Sequence, residues 1–133
     1  MAMDERQKAE LWGRRAEGLA LFAMRLMGYR LLERRYRTPV GEIDLVMRRG
    51  RIVVALEVKA RRTRTDRPVT DKQWRRISEA LESYISRHPK LASLDRRYDL
   101  IEVTEDQWPR QTQDAWRPLT SGFAVPGRET GST

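Results

Sequence analysis

The fold is decided by residues 42–59, which read Glu-Ile-Asp-Leu-Val-Met-Arg-Arg-Gly-Arg-Ile-Val-Val-Ala-Leu-Glu-Val-Lys. Apolar residues alternate with other residues in the first half, fill positions 52–56 in the second half, and are separated by a short Arg/Gly stretch. Alternation with a period of two is typical of a strand, and a continuous apolar run is typical of a strand buried on both faces. The stretch therefore predicts a β-hairpin whose second strand is buried.

The spacing of three polar residues in this hairpin brings them to one face. A two-residue turn at Arg49-Gly50 makes paired residue numbers sum to 99. Asp44 then lies diagonal to Glu57, about 7–8 Å away between Cα atoms, and Lys59 projects to the same side as Glu57. Two carboxylates and an amine in this arrangement can hold a divalent metal ion beside a water molecule, as phosphodiester hydrolysis requires.

Two interpretations of these residues are open. A Glu-x-Lys sequence at the end of a buried strand is often a structural ion pair, which carries little information. The additional Asp44 at matching parity favours a functional site instead. Glu42 shares the face, and it is a further ligand, a residue that supports the ligands or a solvated strand end.

Length and composition limit the number of domains and the kinds of site that the chain can form. The chain has 133 residues, 39% of them hydrophobic and 35% charged, and no cysteine. We expect residues 1–120 to form a single domain and residues 121–133 to be a flexible tail. The lack of cysteine excludes disulfides, thiolate metal sites and cysteine nucleophiles. With no signal-peptide pattern and no apolar run of membrane length, we expect a cytoplasmic protein without a membrane partner.

The charge is strongly basic and concentrated near the hairpin. The net charge is +8, and residues 30–67 hold 12 Lys/Arg against 5 Asp/Glu. A basic surface around an acidic pocket suits a polyanion such as nucleic acid, and an ordinary solvated basic face is the alternative.

The rest of the pattern adds helices and strands around the hairpin. Helical spacing predicts a first helix over 4–27, ended by Gly28, and Thr70 with Gln73 predicts a capping box at the start of a second helix. The second helix ends at His88-Pro89, where we expect His88 in the core. The predicted apolar stripe of the first helix consists of Trp12, Ala16, Leu19, Ala20, Ala23, Leu26 and Met27.

Further strands are predicted over 29–36, Tyr98–Val103 and Asp114–Leu119, with a turn at 38–41. The element order is α-β-β-β-α-β-β. This order predicts an α/β fold, a mixed β-sheet flanked by helices.

Six short motifs together resemble the bacterial YraN family over most of residues 10–119. That family is similar to archaeal Holliday junction resolvases and has the restriction-endonuclease-like PD-(D/E)xK fold. The resemblance implies Asp44 as the motif aspartate, Glu57 and Lys59 as the (D/E)xK pair, and Glu17 as an acid on the first helix; a surface glutamate paired with an arginine is the alternative for Glu17. The motifs are Gly13–Glu17, 28–30 (Gly-Tyr-Arg), 41–46 (Gly-Glu-Ile-Asp-Leu-Val), 56–59 (Leu-Glu-Val-Lys), Lys72-Gln73 and 97–100 (Arg-Tyr-Asp-Leu).

We therefore expect a Mg²⁺- or Mn²⁺-dependent endonuclease acting on structured or branched DNA. Asp44, Glu57 and the Val58 carbonyl are the expected metal ligands, and Lys59 would orient or help deprotonate a water or offset charge on the phosphorane. A non-catalytic nucleic-acid-binding or adaptor module is the alternative, and a homodimer and a DNA-processing protein partner are further expectations. The candidate phosphate contacts are Arg61, Arg62, Arg64, Lys72 and Gln73, and Gln73 is alternatively only a helix cap.

Overall fold

A computed structural model describes residues 2–61 and 68–118 of the chain. Five strands form one mixed sheet, and the described elements follow the predicted order α-β-β-β-α-β-β of a restriction-endonuclease-like α/β fold. The elements are α1 (Glu5–Leu26), β1 (Arg30–Thr38), β2 (Gly41–Arg49), β3 (Ile52–Ala60), α2 (Asp71–Ser86), a short 3₁₀ helix (Pro89–Leu91), β4 (Asp95–Val103) and β5 (Arg110–Trp116).

The strands lie in sequence order across the sheet. β1, β2 and β3 are antiparallel, β4 runs parallel to β3, and β5 returns antiparallel to β4. A parallel pair needs a crossover connection, which α2 supplies between β3 and β4. β3 is central, and its residues 53–56 are fully buried, as the continuous apolar run predicted.

Two hydrophobic cores lie on opposite faces of the sheet. Val46 and Val53 pack with α2, whereas their neighbours Met47 and Val54 pack with α1. This alternation is the period-2 pattern that the hairpin sequence predicted, so each face of the central strands is covered by one helix.

The hairpin turn lies at Gly50-Arg51, so the predicted turn at Arg49-Gly50 is wrong by one residue. Arg49 pairs with Ile52 and the observed pairs sum to 101 instead of 99. Gly50 has a φ of 60°, which suits the first central position of a two-residue turn. Because the register shifts by two residues, every side chain keeps its predicted face.

The first helix is placed correctly, but its buried stripe differs from the prediction. Asp4 caps its start and accepts the Gln7 N–H at 2.8 Å. Ala16, Ala20 and Ala23 are buried as predicted. Three other residues of the predicted stripe are exposed, while three residues outside it are buried, because the face that meets the sheet is rotated about these alanines. The exposed residues are Leu19, Leu26 and Met27, and the newly buried ones are Glu17, Leu21 and Met24.

The second helix begins as predicted, at a capping box formed by Thr70 and Gln73. His88 follows the helix and is exposed, so its predicted place in the core is wrong. Its ring stacks on Tyr84 instead, with ring centroids 4.1 Å apart. The last strand starts at Arg110, four residues before the predicted Asp114.

A buried carboxylate fixes β5 against β4. Asp99 is fully buried and accepts hydrogen bonds from Arg97 Nη2 at 2.7 Å, Gln111 Nε2 at 2.9 Å and the Asp114 N–H at 2.9 Å. Every oxygen of this carboxylate therefore has a donor, which offsets the cost of burying its charge.

Several sequence-based expectations fall on residues that the structure does not describe. The predicted tail at 121–133 and the candidate phosphate contacts Arg62 and Arg64 lie outside the described residues. Within the described part of the chain, no helix is long and apolar enough to cross a membrane.

Gly41 is the position where α2 approaches the sheet most closely. A Cβ atom there would overlap the carbonyl oxygen of Arg76. We expect Gly41→Ala to destabilise the fold by about 1–3 kcal/mol, because the helix must move away from the strand. Chemical denaturation measures this change.

The matched control is Gly18→Ala on α1, where an added Cβ meets no atom within 4 Å. This control should stabilise the protein by about 0.5–1 kcal/mol, because alanine favours the helix. Equal effects of the two substitutions would contradict the close approach at Gly41.

Candidate active site

The candidate site lies where β2 and β3 separate. Their described pairing runs from Arg49–Ile52 to Leu45–Leu56, while β3 continues to pair with β4 as far as Ala60. Just past the last pair, the Asp44 Oδ2 atom accepts the backbone N–H of Val58 at 2.7 Å. A side-chain carboxylate thus replaces a backbone partner, and a gap opens between the two strands.

The carbonyl of Val58 also faces this gap. The Arg61 N–H donates to the Val103 oxygen on β4, and successive residues of a strand point their backbone groups to alternate sides. Val58 therefore points its backbone groups toward β2, as its hydrogen bond to Asp44 requires. Because the N–H and C=O of one strand residue share a side, the carbonyl oxygen lies at the same gap.

Asp44 and Glu57 form a hydrogen-bonded carboxyl pair. When the register is extended by one residue past the last pair, Leu45–Leu56, these two residues lie directly opposite each other. Burial, the negative charge of Asp44 and the hydrogen bond to it together raise the pKa of Glu57 to about 7, against the lowering effect of Lys59. Burial also raises the pKa of Asp44. The pair therefore releases its last proton near neutral pH, well above the range of an exposed carboxyl group.

Lys59 completes the group of three that the hairpin predicted. Its Nζ lies 3.2 Å from Glu57 Oε2, and its charge lowers the pKa values of both carboxyl groups. The Lys59 side chain is 32% exposed, whereas that of Glu57 is 15% exposed. The ammonium thus stands between the buried carboxylates and solvent.

Two open cavities meet at Asp44. The larger, about 660 Å³, lies on the α2 side and is lined by Glu57, Gln73 and Arg76 among others. The smaller, about 380 Å³, lies on the α1 side and is lined by Glu17 and Val58 among others. Asp44 borders both, so a ligand can approach it from either side of the sheet.

Glu17 is buried, and two arginines hold its carboxylate. Arg34 Nη2 lies 2.7 Å from its Oε1 atom, and Arg35 Nε lies 3.2 Å from the same oxygen. The charge of Glu17 raises the pKa of Asp44, which indicates proximity. Even so, the described residues contain no cluster of three acidic or imidazole side chains able to hold one metal ion. The arginine pairing agrees with the alternative interpretation of Glu17, whereas its burial does not, and its role as an acid of the site stays a prediction.

Arg35 is a feature of the site that the sequence did not indicate. Its φ is 51°, in the left-handed region that residues other than glycine rarely adopt. The β1–β2 register brings it opposite Asp44. Such strain persists where surrounding contacts enforce it, and here the bond to Glu17 is one of them. No glycine or turn motif in the sequence marks this position.

The candidate phosphate contacts differ in their placement. Arg61 is 5% exposed and lies 2.7 Å from Glu102, so it does not belong with the exposed cations. Lys72 and Gln73 are exposed at the start of α2. Gln73 Oε1 accepts the Thr70 N–H at 2.8 Å, which confirms its capping role and leaves its amide NH₂ group unused by the cap. Glu42 is a solvated strand end, with Arg37 3.6 Å away.

The carboxyl pair fits a divalent cation. Mg²⁺ and Mn²⁺ take oxygen ligands and are commonly held by one or two carboxylates together with waters and substrate phosphate. Asp44 and Glu57 supply two carboxylates, and the Val58 carbonyl supplies a third protein oxygen at the same gap. The proton held by the pair offsets part of its negative charge. A bound cation would displace this proton and offset the charge in its place.

Comparison with known proteins identifies relatives over most of the chain. Residues 16–103 match the sequence model of the uncharacterised protein family UPF0102. The chain is 45% identical to a UPF0102 protein of Parvibaculum lavamentivorans over 108 residues, which cover 80% of this chain and 81% of the relative. It is 45% identical to one of Chelativorans sp. over 113 residues, with 84% and 91% covered. A third relative, a UPF0102 protein of Mesorhizobium japonicum, is 42% identical over 113 residues, which cover 84% of this chain and 90% of the relative.

The raised pKa of Glu57 predicts a pH-dependent effect of Glu57→Gln. Between its unfolded value of 4.5 and about 7, the folded protein binds a proton that the unfolded chain releases. The charged carboxylate therefore costs stability above this window, and the cost disappears as the pH falls through it. In chelator, we expect Glu57→Gln to stabilise the protein by about 1–3 kcal/mol at pH 8, with most of the gain lost at pH 5.

Chemical denaturation at the two pH values measures this difference. The control is Glu42→Gln, which removes an exposed carboxylate and should change stability little at either pH. A gain that is equal at both pH values would show that Glu57 ionises normally.

Proposed function

The chain belongs to the uncharacterised protein family UPF0102, and we propose that it is a metal-dependent nuclease that hydrolyses phosphodiester bonds in nucleic acid. The family description assigns no activity, so the proposal rests on the site itself. The observation that carries it is the buried Asp44–Glu57 pair with Lys59 beside it, in a gap open to solvent through two cavities.

Burying two adjacent carboxyl groups lowers the stability of the fold, which indicates that the pair has a function. Two carboxylates buried side by side repel each other, and burial penalises the charge of both. Replacing such a pair by apolar residues would be the simpler way to fill a sheet. A perturbed pair that lines an open cavity is instead typical of a site for chemistry or cation binding.

Each residue of the site would have a separate role in hydrolysis. Asp44 and Glu57, with the Val58 carbonyl, would hold Mg²⁺ or Mn²⁺, and a bound cation supplies Lewis acidity toward the phosphate and the attacking water. The Val58 N–H fixes the Asp44 carboxylate in place. Lys59 would orient the water and stabilise the negative charge that develops on the phosphate.

Substrate approach is favoured by the cations that border the site. Arg35 and Arg37 line the smaller cavity, and Arg76 lines the larger one. Lys72 and Gln73 are exposed next to the larger cavity, where they are suited to contact the sugar–phosphate backbone. Positive charge around an acidic centre attracts a polyanion and raises its association rate.

Structured or branched DNA is the proposed substrate, following the resemblance to junction resolvases. A resolvase cuts two strands of one junction, so the proposal includes a homodimer. The proposal also includes a DNA-processing protein partner, which could bind a monomer or a homodimer.

A non-catalytic nucleic-acid-binding module is the second candidate. It is favoured by one observation, since only two acids converge at the site in the described chain and Glu17 is neutralised by arginines. In that case the basic surface would bind nucleic acid while the carboxyl pair remained without a role in chemistry.

Cleavage of labelled DNA separates the two candidates. We expect Mg²⁺- or Mn²⁺-dependent cutting of single-stranded, duplex, flap or four-way-junction DNA, with none in chelator. Asp44→Asn and Lys59→Gln should each lower the rate by about 10²–10⁴, because they remove a ligand and a charge that stabilises the transition state. Glu42→Gln, a nearby exposed acid, should retain the activity.

The outcome that favours the binding module is equally specific. No cutting of any of these substrates, together with salt-sensitive junction binding that survives Asp44→Asn and Lys59→Gln, would replace the nuclease by the second candidate.

Metal binding can be tested without activity. We expect Mn²⁺ to raise the melting temperature of the protein, because an ion bound only by the folded state stabilises it. The effect should grow as the pH rises through about 7, since the proton held by the carboxyl pair must leave before the ion binds. Thermal melts at several Mn²⁺ concentrations and pH values measure it.

Asp44→Asn serves as the matched variant here, because the amide oxygen can still accept the Val58 N–H while the charge is removed. An equal Mn²⁺ effect in this variant and in the unmodified protein would show that the ion binds elsewhere.

A further inference from the structure

A third cavity, which has a strongly basic rim, lies away from the carboxyl pair. It has a volume of about 400 Å³ and is bordered by the cations Arg30, Arg48, Arg87 and Lys90. It is formed where β1 begins, where β2 ends and where the chain leaves α2. Its size falls within the range of small-molecule sites in proteins.

The four cations have no acidic partner in the described chain. The residues that border the cavity include no aspartate or glutamate, and no carboxylate of a described residue lies within ion-pair distance of these side chains. Arg34, Arg35 and Arg37, farther along the same β1 strand, are each paired with a glutamate. Among the described residues, the rim of this cavity is therefore a local excess of positive charge without ion-pair partners. Burial raises the pKa of Tyr84 on the cavity floor and the charge of Glu33 contributes to this rise, but Glu33 does not border the cavity.

The sheet register adds to this excess. Arg30 and Arg48 are directly paired residues of neighbouring strands. Like charges in such positions destabilise a sheet. Arg48 Nε donates to the Gly50 carbonyl oxygen in the hairpin turn at 3.0 Å, so the turn accounts for Arg48 but not for Arg30. Arg87 and Lys90 follow the end of α2, where cations interact favourably with the helix dipole, but this explanation does not extend to the strand pair.

The floor of the cavity is apolar and aromatic. Leu32, Tyr84 and Leu91 form it, and the His88 ring stacks on Tyr84 with the ring planes 22° apart. His88 Nδ1 lies 2.8 Å from the Tyr84 carbonyl oxygen, which can only accept, so Nδ1 carries a hydrogen. The ring is thus held in one orientation at the mouth of the cavity.

We propose that this cavity binds one nucleotide unit, with the base against the exposed His88 ring that covers Tyr84 and the phosphate against the cationic rim. Stacking on aromatic rings accepts any base, and arginine pairs with phosphate oxygens through two parallel hydrogen bonds. The same chemistry would bind a free nucleotide or a nucleotide within a nucleic-acid strand.

The position of the cavity favours a unit within a strand. It lies at one end of α2, and Gln73 at the other end lines the cavity of the carboxyl pair. The 14 residues from Gln73 to Arg87 correspond to about 21 Å of helix. This distance equals about six nucleotides of one strand of a duplex, so one strand can reach both sites. Only this preference for a strand depends on the proposed nuclease function.

Nuclear magnetic resonance of the full chain in chelator tests the proposal. AMP should shift the amide signals of Leu32, Tyr84, His88 and Leu91 with saturation, whereas inorganic phosphate and adenosine should each bind more weakly. The double variant Arg87→Gln/Lys90→Gln should lose these shifts. The matched control Arg15→Gln/Arg25→Gln removes two exposed cations of α1 that have no ion-pair partner among the described residues. They lie on the other face of the sheet, so this control should keep the shifts.

Fluorescence anisotropy with a labelled 12-nucleotide single strand distinguishes the two sources of the ligand. If the unit belongs to a strand, Arg87→Gln/Lys90→Gln should lower the slope of log affinity against log salt by about 1.4, while the control leaves it unchanged. Shifts with AMP but an unaltered slope would identify a free nucleotide as the ligand.

Arg30→Gln tests the cationic rim on the strand side of the cavity, without changing the residues that follow α2. It should weaken AMP binding and at the same time raise the melting temperature, because it relieves repulsion from Arg48. The proposal is overturned if AMP leaves the amide signals of the cavity unchanged and the oligonucleotide affinity is the same in all variants. Because chelator excludes metal-dependent cleavage, this failure would leave the nuclease proposal standing.

Discussion

The hydrogen bond from the Val58 N–H to the Asp44 carboxylate is the contact on which the site depends. A regular hairpin would have continued to pair β2 and β3 through backbone groups and closed the space between them. Here one strand offers a side chain instead, so β3 keeps its partner β4 and loses its partner β2 over the last few residues. The gap, the burial of two acids within it and the proton held by the pair all follow from this exchange.

The hairpin, the two helices and the capping box of α2 were predictable because their signals are local. Alternation, glycine position and the Thr70–Gln73 spacing depend on neighbouring residues, and they gave the element order and the faces of Asp44 and Glu57. Even a two-residue error in register kept these faces, because the side-chain period is two. The motif resemblance to the YraN family is confirmed by the family match over residues 16–103.

The remaining features depend on contacts between distant segments. The buried side of α1 was predicted only in part. Its alanines border two apolar faces, one with Leu19 and Leu26 and the other with Leu21 and Met24, and contact with the sheet buries the second. The unusual backbone of Arg35 and the burial of Arg61 against Glu102 carry no local signal. Exposed arginines and buried, paired arginines look alike in a sequence with 27 basic residues.

The placement of α2 as the crossover between β3 and β4 has a consequence for folding. Asp44, Glu57 and Lys59 belong to one local hairpin, which closes a short loop, whereas β4 must return across some 40 intervening residues before it pairs with β3. The three side chains can therefore come together early, while still hydrated and with ordinary acidity. Their carboxyl groups become hard to ionise only once the helices and β4 cover the hairpin, so proton uptake by the pair marks the late step in which the sheet is completed.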